Sequence, residues 1–268
     1  MRPLSLMPDA IAGAVTAVFA DIDDTLTHEG RLPAEAYKAL EDLHAAGLAV
    51  APITGRPAGW CDMIARFWPV SGVVGENGAF YFAYDGEARK MRRVFAASTE
   101  ERAANRLRLK TVKNRILAEV PGAAVAADQF YREADLAIDF CEDVLPLGKA
   151  AIARIKAIFE EEGAIAKVSS IHVNGWFGRY DKLSMTRRFA REVIGMDLDQ
   201  EKFQVIFVGD SPNDAPMFGF FPNACGVSNV LAFAGELDAE PAYVTIGGGA
   251  RGFVEIAERI LAARTRPT

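Results

Sequence analysis

The feature of this 268-residue chain that most restricts its fold is a set of short apolar runs with no polar alternation: "AVTAVFA" (14–20), "LAVAPI" (48–53), "SGVVG" (71–75), "FQVIFVG" (203–209), "ACGVS" (224–228) and "AYVTI" (242–246). A strand that is apolar on both faces must be covered on both faces. Helix-period segments lie between these runs, among them "PAEAYKALEDLHAAG" (33–47), a helix near 57–67 and the terminal "GFVEIAERILAAR". Pro33 suits a first helical turn and Gly47 a C-terminal cap. The alternation predicts an α/β fold with a doubly wound, Rossmann-like parallel-sheet core.

The middle of the chain breaks the pattern. Two strand-like stretches flank "YDGE" near 80–95, followed by a helix at about 99–119, strands near 123–128 and 134–140, a helix at about 146–162 and two strands near 164–176. Strand pairs interleaved with helices predict an inserted α+β domain over 86–177, leaving 1–85 and 178–268 as the core, with Gly86 and Gly175 or Gly178 as hinge points. Residues 86–177 hold 15 Lys and Arg against 13 Asp and Glu, net +2, so in a chain of net charge −6 the core carries −8. The richest stretch, "RAANRLRLKTVKNR" (102–115), reads as a solvated helix face or as a surface that draws an anionic substrate.

Half of the residues are apolar, enough for a sizeable core. The net negative charge argues against a general nucleic-acid binder. Cys61, Cys141 and Cys225 are odd in number and far apart, so neither a disulfide framework nor a zinc site is expected. No run reaches the roughly 18 apolar residues of a membrane span. A soluble, cytoplasmic protein is expected, with a small-molecule partner, no nucleic acid and no membrane; oligomeric state is not legible.

In an open α/β sheet, ligands bind beyond the carboxyl ends of the strands. There the sequence places Asp21 and Asp23, then Thr54, Gly55 and Arg56, then "GDSPND" with Asp210, Asn213 and Asp214; Lys182, in "RYDKLSM", starts the first helix after the insert. Residues two apart in a strand point the same way, so Asp21 and Asp23 reach one pocket. With Asp24 they form a cluster of like charges that repel unless something positive sits among them. Asp210 adds a third carboxylate, and oxygen ligands without His or Cys favour Mg²⁺. A cation beside Thr, main-chain amides and Lys is a site for a phosphoryl group. "GGGARG" (247–252) fits GxGxxG, but the 16 residues after Gly252 leave no room for the rest of a dinucleotide-binding unit.

In this order the motifs resemble those of the haloacid dehalogenase (HAD) superfamily of phosphotransferases, with "DIDDT", "ITGR", Lys182 and "GDSPND" matching its four motifs. The 32 residues between Asp21 and Thr54 cannot hold a cap domain, whereas the 127 between Thr54 and Lys182 can. That placement resembles subfamily IIB, the Cof-type branch that includes sucrose-phosphate phosphatase. The resemblance implies a Mg²⁺-dependent phosphatase acting on a phosphate monoester of a sugar or similar small metabolite. Asp21 would be the nucleophile that becomes an aspartyl phosphate, and Asp23 the general acid and base. Thr54, Gly55, Arg56, Lys182 and Asn213 would bind the phosphoryl group. Asp21, the Asp23 carbonyl and Asp210 would hold Mg²⁺, with Asp214 and Asn213 in support.

Asp24 stands where the family often has glycine. In the cap, "SSIHVNGWF" (169–177) puts His172, Asn174 and Trp176 on one face of a strand, where they would meet a sugar, or where Trp176 would simply be buried. His28 and His44 read as surface residues. Two other functions are open: a sugar phosphomutase with the same chemistry and a bisphosphate activator, and a non-catalytic binding module, which would be expected to lack some of Asp21, Asp23, Lys182 and Asp210.

Overall fold

The computed structural model describes residues 1–169 and 171–265. From the N-terminus come β1 (Arg2–Pro3), α1 (Asp9–Gly13), β2 (Ala17–Ala20), α2 (Ala34–Ala45), β3 (Ala49–Pro52) and α3 (Ala58–Phe67). Next are three strands, β4 (Val73–Gly75), β5 (Phe80–Asp85) and β6 (Lys90–Phe95). The insert supplies α4 (Thr99–Glu119), β7 (Ala124–Val125), β8 (Asp135–Asp139), α5 (Lys149–Glu161), β9 (Ile165–Val168) and β10 (His172–Trp176). The chain then returns through α6 (Lys182–Phe189), α7 (Leu198–Glu201), β11 (Val205–Gly209), α8 (Ala215–Phe220), β12 (Cys225–Gly226), β13 (Tyr243–Val244) and α9 (Gly249–Thr265).

Six of these strands form one parallel sheet in the order β1-β13-β12-β11-β2-β3. Its residues alternate between two apolar layers. Val18, Ala20, Val50, Ile206 and Val208 pack with Leu40 and Leu43 of α2 and Phe253, Ile256 and Ile260 of α9. Phe19, Ala51, Ile53, Val205 and Phe207 pack with Met185 and Phe189 of α6 and Met217 and Phe218 of α8. Both faces are buried, as the non-alternating runs require. The chain steps from β2 to β3 on one side and later enters β11 on the other, so the crevice at the switch point opens at the tips of β2 and β11.

The insert has its own core. Strands β7-β8-β10-β9 form an antiparallel sheet, and Ile138 and Val173 meet Leu109, Val112 and Ile116 of α4 and Ile155, Ile158 and Phe159 of α5. A capping box starts α4: the Ser98 hydroxyl accepts the Glu101 amide and the Glu101 carboxylate accepts the Ser98 amide.

Three details differ from the sequence reading. Strand β6 pairs along its whole length with β5, and Met91 and Phe95 pack on the core layer that holds Phe80 and Phe82, so residues 90–95 sit with the core rather than with the insert's sheet. Gly175 is no hinge: it lies inside β10, where a Cβ would meet the Phe159 ring at 2.1 Å. The strand near 123–128 shrinks to two residues. Among the described residues, no helix is long and apolar enough to cross a membrane.

Because the Phe159 ring is fully buried, it has little room to yield. Gly175→Ala should therefore destabilise the protein by about 1–3 kcal/mol, whereas Gly86→Ala, with nothing within 4 Å of the added carbon, should stay within about 0.5 kcal/mol. Chemical denaturation of the two variants checks this, and equal stabilities would contradict it.

Candidate active site

Adjacent parallel strands bring β2 and β11 tip to tip, which sets Asp21 and Asp210 side by side. Oxygens of Asp21, Asp210 and Asp214 lie within 4.8 Å of one another, and all three side chains are buried. Lys182 enters from the first position of α6, with Nζ 3.2 Å from Asp21 Oδ1 and 2.9 Å from Asp214 Oδ1. A cation at a helix N-terminus opposes the helix dipole, so these two carboxylates are what hold it there. Glycines permit the close approach of the parts. A Cβ on Gly209 would lie 2.4 Å from Asp214 Oδ2, and one on Gly78, whose φ is +101°, would lie 2.0 Å from the Asp181 carbonyl at the start of α6.

Within the cluster, Asp214 also accepts the Asp210 main-chain N–H, and the Thr25 hydroxyl donates to Asp210. Three carboxylates against one ammonium leave a surplus of negative charge. Burial, followed by Asp214 and Asp21, pushes Asp210 up to about 9. Burial, opposed by Lys182 and assisted by Asp214 and Asp23, pushes Asp21 up to about 7. For Lys182, burial works against the charge, but Asp21 and Asp214 more than offset it and the ammonium is held protonated. A compact set of hard oxygen donors with unbalanced negative charge fits a divalent cation such as Mg²⁺.

Around this cluster the sequence-derived residues divide. Thr54 is fully buried, and its Oγ1 accepts the Arg56 amide, leaving the hydroxyl proton free to donate. Gly55, Asn213, His172 and Asn174 line the cavity between sheet and insert together with Asp21, Asp23 and Asp210. Arg56 does not point its guanidinium at the Asp21–Lys182 pair: it grips Asp23, with Nε 3.0 Å from both carboxylate oxygens and Nη2 2.8 Å from Oδ1, and reaches Glu142 of the insert at 3.1 Å. Trp176 does not reach the cavity either; it is buried, stacked on Tyr180 at 5.8 Å, with its indole N–H donated to the Tyr180 carbonyl.

Asp24 adopts φ 55°, which explains why glycine suits this position, and its amide donates to Thr27 Oγ1. The "GGGARG" loop closes onto this turn, where the Ala250 amide donates to the Thr27 carbonyl. Ser170, inside the quoted cap stretch, lies outside the described residues.

Sequence reasoning missed the groups that join the insert to the core. Glu76, in the turn after β4, is fully buried and accepts main-chain N–H bonds from Ala58 and from Glu133, Ala134 and Asp135 of the insert. Burial and the nearby Asp135 carry it up to about 8, with Arg132 and the main-chain donors pulling the other way. Arg132 of the insert donates to the Gly55 carbonyl of the core at 2.9 Å and to Asp128 and Asp135. The strand-tip rule that found Thr54, applied to "VVGENG", would have found Glu76 and Asn77 as well.

A second cavity, about 350 Å³, lies between α4 and residues 129–136 of the insert and is lined by Arg102, Arg106, Lys110 and Lys113; none of the strand-tip residues reaches it. The stretch that gave the basic reading is partly committed elsewhere. Arg102 stacks on Phe95, Arg108 on Phe177, and Arg115 pairs with Glu119 and Glu162.

No family model matches the sequence, and no curated protein matches it. Solved structures do match it in fold. A Thermoplasma acidophilum protein superposes with a TM-score of 0.69 at 16% identity, over 92% of this chain and 98% of that one. The sucrose-phosphatase of Synechocystis, solved with sucrose and phosphate, gives 0.60 at 15% identity over 91% and 97%. A HAD subclass IIB sugar phosphatase gives 0.60 at 15% identity over 93% and 100%. The chain therefore has the fold of HAD-like hydrolases of the Cof type, cap included, as its motifs implied.

Two outcomes follow from the charges. Mg²⁺ at a hundredfold excess over its Kd should add about 2.7 kcal/mol of stability, and Asp210→Asn should remove most of that gain; thermal denaturation with and without the ion checks it. At Glu142, the His172 imidazole, 2.9 Å away, and then Arg56 hold the carboxyl down to about 2 despite burial. A carboxyl lowered from its unfolded value of about 4.3 contributes stability that is complete above that value and lost as pH falls toward 2. Glu142→Gln should therefore flatten the loss of stability between about pH 5 and 3, measured by denaturant titration across that range.

Proposed function

We propose that this chain is a Mg²⁺-dependent phosphatase that hydrolyses a phosphate monoester of a sugar or similar small metabolite through an aspartyl phosphate on Asp21. The observation that carries this reading is Lys182 Nζ set 3.2 Å from Asp21 Oδ1, inside a carboxylate cluster at the tips of β2 and β11. The sucrose-phosphatase and the subclass IIB sugar phosphatase among its fold neighbours support phosphatase chemistry on this scaffold.

In the first step an Asp21 oxygen attacks phosphorus and the bond to the leaving oxygen breaks, while Asp23 gives that oxygen a proton. In the second, water attacks phosphorus, Asp23 takes its proton, and the bond to Asp21 breaks to release inorganic phosphate. Lys182, the Thr54 hydroxyl and the main-chain amides near Gly55 bind the equatorial oxygens, where transition-state charge is spread. A divalent cation held by Asp21, Asp210 and the Asp23 carbonyl, with Asp214 in support, would supply positive charge that offsets repulsion between phosphate and carboxylate. Asp214, both of whose oxygens are engaged by Lys182 and the Asp210 amide, anchors these groups. Asp23 must give up one of its bonds to Arg56 to reach the leaving oxygen.

Phosphate release from sugar phosphates and an aryl phosphate should require Mg²⁺ and stop with EDTA. Thr54→Ala should lower kcat by about 10²–10³, and Asp21→Asn should abolish turnover. Metal-independent release, or release by Asp21→Asn, would overturn the reading.

A further inference from the structure

Two permanent cations, Arg56 and Arg132, are found among the described residues that line the cavity between core and insert, and neither is free. Arg56 is held by Asp23 and Glu142, with Asp128 at 3.8 Å. Arg132 has its Nε and Nη2 on Asp128, and its Nη1 is shared between Asp135 and the Gly55 carbonyl. Both side chains are buried, at 6% and 1% exposure. Two guanidinium groups thus face four carboxylates, Asp23, Glu142, Asp128 and Asp135, of which Glu142 is also held by the His172 imidazole at 2.9 Å. The remaining polar groups on this side include Asn77, Asn174, Ser169 and His172, and Asn174 itself donates to Asp135.

Opening of the cap would not release these arginines. Asp128 and Asp135 lie four and three residues from Arg132 on the insert, and Asp23 and Arg56 both belong to the core. Each cation keeps a carboxylate from its own side whatever the cap does. Among the described residues, a second anionic group on the substrate would find no unpaired cation on this side, because both guanidinium groups are already held by carboxylates, and it would sit beside the Asp23 carboxylate that lines the cavity. An anionic group left unpaired beside a like charge in this way disfavours binding.

Resting on the phosphatase reading above, we infer that the site selects by charge: its substrate is a phosphate monoester whose leaving group is uncharged and polyhydroxylated or carries an amine, and esters with a second anionic group are rejected. This also separates the chain from mutase chemistry. Moving a phosphoryl group between hydroxyls of one sugar passes through a bisphosphate, whose second phosphate would have to sit on this side.

The test is a charge series of one shape: phenyl phosphates bearing a 4-aminomethyl, a 4-hydroxymethyl or a 4-carboxylate group, assayed for phosphate release by the full chain with Mg²⁺. The amine and the alcohol should have similar kcat/KM, and the carboxylate should be lower by about 10²-fold. Glu142→Gln, which removes one carboxylate from Arg56, should narrow that gap about tenfold; the ratio is internal to each protein and is not moved by a partial loss of folded material. A carboxylate ester turned over as well as the alcohol, or a gap unchanged in Glu142→Gln, overturns the inference while leaving the phosphatase reading intact. No turnover of any of the three esters overturns both.

Discussion

The buried ion pair of Lys182 with Asp21 and Asp214 is the contact on which the rest of the arrangement depends. The side chains of Lys182 and Asp214 are 6% and 0% exposed, and carboxylates packed this closely around a metal-sized space repel one another. A buried ammonium answers part of that repulsion, and removing one partner of such a pair costs about 3–5 kcal/mol because the others are left uncompensated. The demand reaches well into the backbone. It needs β2 and β11 to be neighbours in one parallel sheet, glycine at 209 and 78 where main chain meets side chain or main chain, and a helix that begins at residue 182.

The same contact explains how a large insert can interrupt the core without disturbing it. Lys182 lies directly after the returning strand β10 and the Trp176–Tyr180 stack, so the chain is anchored in the core layer just before it delivers the ammonium. On the other side, Glu76 and Arg132 bind main-chain groups across the boundary between core and insert. The cavity between the two is about 20 Å³, roughly the room of one water. On the proposed function, a phosphate ester is larger than this space, and the bonds that join core and insert beside it include those of Arg56 to Glu142 and of Arg132 to Gly55.

Legibility in the sequence followed locality. Asp21, Thr54 and Asp210 stand at ends of apolar runs, so strand-tip reasoning located them without knowledge of side-chain geometry, and Lys182 was located by its place at the start of the first helix after the insert. The parallel core was legible because its strands are apolar on both faces. Arg56 was located but not its direction, since nothing local says that its guanidinium turns toward Asp23 and across to Glu142, a residue 86 positions away. On β10, period-2 alternation grouped His172, Asn174 and Trp176 on one face; the twist of a strand turns such a face along its length, and the first two residues lie at the cavity while the third, still paired in the sheet, stacks on Tyr180. Strand β6 was assigned to the insert because hairpin pairing with β5 carries no composition signal separate from the cap that follows it.

The stereochemical course at phosphorus is the most direct measurement of whether Asp21 takes the phosphoryl group before water does. With a thiophosphate ester made chiral at phosphorus by two oxygen isotopes and hydrolysed in water that carries the third, two successive in-line displacements, first by Asp21 and then by water, give inorganic thiophosphate with retained configuration. Direct attack by water on the ester, with the carboxylates acting only to hold and orient it, gives inversion. The structure described here predicts retention, and inversion would contradict it.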